Sequence, residues 1–232
     1  MTGTMERSSL VRPVMAVAAA LAIMMAGCGS SAPSPSRSAA FESIPATIVT
    51  GASQPIEIDG GGALLGPLVE WDLGRFTEAG LEEPHVPRVQ FKPDDPACIG
   101  VTGLFRDNEQ GRSIVICLDE DRICEFPDVP DRFRATARSC ILHELAHAWT
   151  TDSLDQEARE TFAAVPPVEN WYEKGGTWNQ QGIEHAAEII SWGLIDEHLP
   201  LNRLDNPQCT DVETRFRLLT GVEPLIPCEE RP

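Results

Sequence analysis

Apolar residues fall into two regimes along this chain, short separated runs in the first half and helical spacing in the second. Ile44 to Val49, Val86 to Phe91, Cys98 to Phe105 and Ser113 to Leu118 are apolar or β-branched stretches bounded by Gly, Pro and Asp, and they predict strands. The segment Asp128-Val129-Pro130-Asp131 then offers a helix start, with Asp131 as its cap, and the helix runs to about Thr150. Within it Ile141, Leu142, Leu145, Ala148 and Trp149 fall on one arc at about 100° per residue, which gives the helix an apolar back to bury. A helix over Asp155 to Ala164, a loop through Pro166-Pro167, a strong helix near Gln180 to Leu194 and a last one from Cys209 to Leu219, ending at Gly221, complete the prediction. Strands followed by helices predict an α+β domain, with a small sheet packed on the helix around residue 145 and a helical C-terminal part. No internal repeat is present.

The longest apolar run, Val14 to Ala26, lies outside this scheme. It follows Arg7 and Arg12 and is shorter than the ~20 residues a membrane-spanning helix needs, so residues 1–27 predict an export signal. The run leads into Met25-Ala26-Gly27-Cys28, which resembles the lipobox of bacterial lipoproteins. That resemblance implies cleavage before Cys28, lipidation of its side chain, and a mature protein anchored by lipid on the extracytoplasmic face of a bacterial cell membrane. Residues 28–43, rich in Ser, Pro and Ala, predict a flexible tether. Residues 44–232 are enough for one compact domain.

Of the seven cysteines, six remain once Cys28 is set aside: Cys98, Cys117, Cys124, Cys140, Cys209 and Cys228. An even set in an exported chain predicts disulfides. Pairing nearest neighbours closes modest loops and gives Cys98–Cys117, Cys124–Cys140 and Cys209–Cys228. The absence of any C-x-x-C spacing argues against thiolate metal sites. The formal charge of −18 reads as a solvated acidic surface and supplies no basic patch for nucleic acid or for anionic lipid.

Chemistry concentrates in Cys140-Ile141-Leu142-His143-Glu144-Leu145-Ala146-His147, which contains His-Glu-x-x-His. Helical residues four apart share a face, so His143 and His147 can offer two imidazoles to one ion. Glu144, about 100° round from His143, can act as a base beside them. A catalytic zinc takes three protein ligands and leaves one position open. The extended motif with a nearby glycine and third ligand fails, because those positions hold Thr150 and Ser153. The helix containing Gly182-Ile183-Glu184-His185-Ala186-Ala187-Glu188 offers two carboxylates four apart, Glu184 and Glu188.

These two stretches resemble the gluzincin-type zinc metallopeptidases, in which His-Glu-x-x-His on one helix is joined by a glutamate from a later helix. The resemblance implies a zincin-like fold and a Zn2+ ion held by His143, His147 and Glu184. It makes Glu188 the acid that hydrogen-bonds a ligand histidine, with Glu188 as the alternative ligand. It also implies that Glu144 activates water for hydrolysis of a peptide or protein substrate. Related peptidases use a tyrosine or histidine to stabilise the oxyanion, and Tyr172, the sole tyrosine, and His185 are the candidates here. The competing expectation is a lipoprotein that binds a metal or a partner without catalysis; a base at Glu144 separates the two, since a purely structural site needs none.

Overall fold

A computed structural model describes residues 46–49, 55–60, 62–92, 95–99, 101–117, 130–172, 180–196, 204 and 207–231. The export signal, Cys28, the tether and Cys124 lie outside the described residues. Five strands form one mixed sheet: β1 (Ala46–Val49), β2 (Pro55–Asp59), β3 (Arg88–Phe91), β4 (Gly103–Asn108) and β5 (Gly111–Ile116), in the order β1-β2-β3-β5-β4. The β2–β3 and β3–β5 pairs are parallel, and the outer pairs β1–β2 and β4–β5 are antiparallel. A parallel β2–β3 pair needs a crossover, and α1 (Gly62–Glu78) supplies it.

β5 is buried on both faces. Ile114 and Ile116 enter the main core, while Val115 packs with Cys98 and Cys117 on the other side. Over the main-core face lie α1 and the long α2 (Pro130–Ser153), with Pro130 in the first turn where a missing N–H costs nothing. Behind them come α3 (Gln156–Ala163), capped by the Asp155 carboxylate on Ala158 N at 2.8 Å, then α4 (Gly182–Leu194) and α5 (Cys209–Thr220). α4 packs along α2, and α5 along α4. Gly221, at φ 73°, closes α5 with its N–H on Arg217 O at 2.8 Å, a left-handed cap that favours glycine. The α+β prediction, with a small sheet on the residue-145 helix and helices at the C-terminal end, therefore holds.

Two elements were not foreseen. β2 and α1 occupy a stretch punctuated by Gly62, Gly66, Pro67 and Gly74, residues that ordinarily mark breaks. Yet Leu65, Leu68, Val69, Asp72, Leu73 and Phe76 follow helical spacing and are all buried, so packing outweighs the weak local propensity. β4 also starts later than expected. Cys98 belongs to a 3-10 turn, Pro96–Cys98, whose N–H at Ala97 is capped by the Asp95 side chain at 2.9 Å.

Two of the expected disulfides are present, Cys98–Cys117 and Cys209–Cys228, with Cα–Cα distances of 5.2 and 5.7 Å. They place the folded part in an oxidising, extracytoplasmic setting. Cys140 is buried, with its Sγ 3.1 Å from Thr102 O. Among the described residues no helix is long and apolar enough to cross a membrane.

Candidate metal centre

The polar front of α2 is as buried as its apolar back. His143, Glu144 and His147 are only 5–7 % exposed, because α4 and β4 both pack on this face. Close approach of the two helices is allowed by Ala186 and Ala187, both fully buried, and is pinned by Ser191 Oγ donating to Ser139 O at 3.3 Å. A short parallel bridge between Asn170 and Gln181, with Gly182 N donating to Asn170 O at 2.8 Å, sets where α4 begins. Glu184 thus falls in the first turn, where a carboxylate is favoured by the helix dipole. The far end of α2 is held as well: Arg159 of α3 donates to Thr150 O and Thr151 O, both at 3.0 Å, in the last turn of the helix.

Three donor atoms converge in the space between α2 and α4. His143 Nε2 lies 3.1 Å from His147 Nε2 and 3.2 Å from Glu184 Oε2, and His147 Nε2 lies 3.4 Å from the same oxygen. Bonds of ~2.0–2.1 Å directed tetrahedrally from one ion place ligand atoms about 3.3 Å apart. The three observed separations bracket that value. Without an ion, a single hydrogen on His143 Nε2 has to serve two neighbours at once, His147 Nε2 and Glu184 Oε2. A divalent cation bound between them would satisfy all three donors, so the residues fit a bound metal. His143, His147 and Glu184 form a possible metal site.

Glu188, one turn after Glu184, meets the other ring nitrogen of His143: its Oε2 lies 3.2 Å from Nδ1. A proton held there leaves the Nε2 lone pair aimed at the centre, which fixes the tautomer a ligand needs. Geometry therefore sets the two acids in different places, Glu184 among the converging donors and Glu188 behind the imidazole.

The electrostatics of the metal-free site follow from this packing. Burial pulls the His143 pKa down, but hydrogen bonds to Glu184 and Glu188 and the charge of Glu144 more than offset it, holding it at about 10. Burial pushes Glu184 up, and the two histidines outweigh that, holding its carboxyl well below the usual range. A metal entering this site competes with a proton on His143. Glu144 behaves in the opposite sense: burial raises its pKa, against the pull of His143 and His147 and a hydrogen bond from Phe105 N–H. A carboxylate raised in this way is a better base than one in water.

The remaining candidates sit as follows. Tyr172 is exposed, and its hydroxyl accepts from Arg159 at 2.9 Å, the same guanidinium that caps α2. His185 is buried about 100° round α4 from Glu184. Its Nε2 accepts from Arg215 of α5 at 2.8 Å, since a guanidinium only donates, and its ring packs against Phe162. Neither is among the converging donors.

Two residues of β4 were overlooked in the sequence. The Phe105 ring stacks on His147 at 6.5 Å between centroids, and Gly103 lies directly against Glu144. A glycine inside a predicted strand is itself a signal of close backbone approach, and Gly103 carried that signal. No protein-family model, curated protein or solved structure matches the chain.

Proposed function

We propose that this chain is a zinc-dependent hydrolase of the gluzincin type, cleaving peptide bonds on the outer side of a bacterial membrane. The observation that carries the proposal is the pairing of three donors at tetrahedral separations with a buried carboxylate, Glu144, that is adjacent to them yet not one of them. Zinc held by His143, His147 and Glu184 would supply Lewis acidity, lowering the pKa of a bound water towards about 7 and polarising a carbonyl. The protein does the rest. Glu188 holds the His143 proton on Nδ1. Glu144, desolvated and oriented by Phe105 N–H, takes a proton from water and returns it to the departing amine, the two-way traffic a carboxylic acid of raised pKa can carry.

The test is to load the purified domain with zinc and incubate it with a peptide library. Cleavage that disappears on chelation and returns with added zinc supports the proposal. Stoichiometric zinc with no cleavage of any peptide or protein contradicts it, and leaves a non-catalytic metal-binding protein.

Anchoring belongs to the same proposal, supported by the basic start, the apolar run and Met25-Ala26-Gly27-Cys28, together with the disulfides. Lipid chains on Cys28 would supply the attachment, so Cys28→Ala should move the protein from the membrane fraction to the soluble one. A variant still membrane-bound after a high-salt wash would rule the lipid anchor out.

A further inference from the structure

Glycine is required for a positive φ at Gly60, Gly80, Gly111 and Gly221. Gly103 has no such backbone, so any residue could adopt its conformation. Space is what it gives up: a Cβ at this position would lie 2.7 Å from Glu144 Oε1, 2.8 Å from Glu144 Cγ and 2.9 Å from Cys140 Sγ. Carbon atoms do not approach that closely. Relief by moving the strand is blocked, because Thr102 O accepts from Cys117 N at 2.9 Å and from Cys140 Sγ at 3.1 Å. The Cys98–Cys117 disulfide closes the same loop, and Gly103 is in register with Ile116 of β5, which is fully buried. Relief by moving Glu144 requires repacking a side chain that is only 5 % exposed.

We propose that Gly103 is a positioning residue, and that the side chain it lacks is the space in which the Glu144 carboxylate is held. β4 then seats Glu144 twice, by the gap at Gly103 and by the N–H of Phe105 two residues on. The metal donors come from α2 and α4, and Gly103 touches none of them. Gly103 therefore governs the base without governing the ion. This inference rests on the hydrolase reading only for its kinetic consequence; the seat itself is a matter of packing.

Gly103→Ala tests it in two ways. With zinc loaded, occupancy should equal wild type while kcat falls about 100-fold and KM changes little, since a misplacement of ~1 Å costs that much. In metal-free protein, Gly103→Ala should lower the melting temperature by roughly 3 °C or more, as overpacking does, and the drop should shrink by at least half when Glu144→Ala is also present. Should Gly103→Ala fail to fold, recovery of folding by the added Glu144→Ala supports the seat equally, and a double variant no more stable overturns it. Wild-type kcat in Gly103→Ala, loss of zinc together with activity, or melting effects that simply add would each overturn the proposal. If the wild type cleaves nothing, coupling between positions 103 and 144 still upholds the seat while the hydrolase reading fails alone.

Discussion

Zinc-loaded Glu144→Gln should hold its ion as the wild type does and hydrolyse peptides about 10²–10⁴-fold more slowly. Glutamine keeps the length of the side chain, fits the space beside Gly103 and leaves the three converging donors in place. What it loses is the ability to accept a proton. Zinc content by elemental analysis and initial rates on one cleaved peptide, measured on the same preparation, check the prediction. Zinc lost in step with activity would make Glu144 part of the binding site instead of the base, and activity within a few-fold of wild type would remove it from the chemistry.

The second large effect concerns the ligands. Removing His143 and His147 together takes away two of three donors, and Glu184→Gln replaces a charged donor by a neutral amide. Each change should abolish zinc retention through gel filtration, a greater loss than the roughly 10–100-fold fall in affinity expected for Glu188→Gln, which removes only support to His143 Nδ1. Stability gives a second view of the same binding. An ion present at 100 times its dissociation constant adds about 2.7 kcal/mol to the folded state, which for a domain of this size raises the melting temperature by roughly 5–10 °C. That rise should vanish in the ligand variants. Uptake should also release a proton at pH 7, because metal-free His143, with its pKa at about 10, is protonated there and must give the proton up to bind. If Glu184→Gln keeps zinc and Glu188→Gln loses it, the two carboxylates have exchanged roles.

Much of this site was legible in the sequence because its signals are local. His143 and His147 are four apart on a helix that flanking residues make unmistakable, and Glu184 and Glu188 repeat the spacing on another. Cys98–Cys117 and Cys209–Cys228 followed from short loops and an even count. What spacing could not reveal was how α4 crosses α2, and so which glutamate reaches the centre; the resemblance to gluzincins supplied that expectation, and the 3.2 Å contacts of Glu184 and Glu188 with opposite nitrogens of His143 agree with it. α1 stayed hidden because three glycines and Pro67 mask a helical stripe whose burial is decided by tertiary packing. The contribution of β4 was hidden for a related reason. Contacts of Gly103 with Glu144 and of Phe105 with His147 join residues about forty positions apart, and no periodicity encodes them.

Whether His143 and His147 hold a metal is decided by metal analysis of the purified domain and of its His143→Ala/His147→Ala form, expressed, dialysed and measured side by side. About one zinc per chain is expected in the wild type and background levels in the double variant. Equal metal content in the two proteins would contradict it.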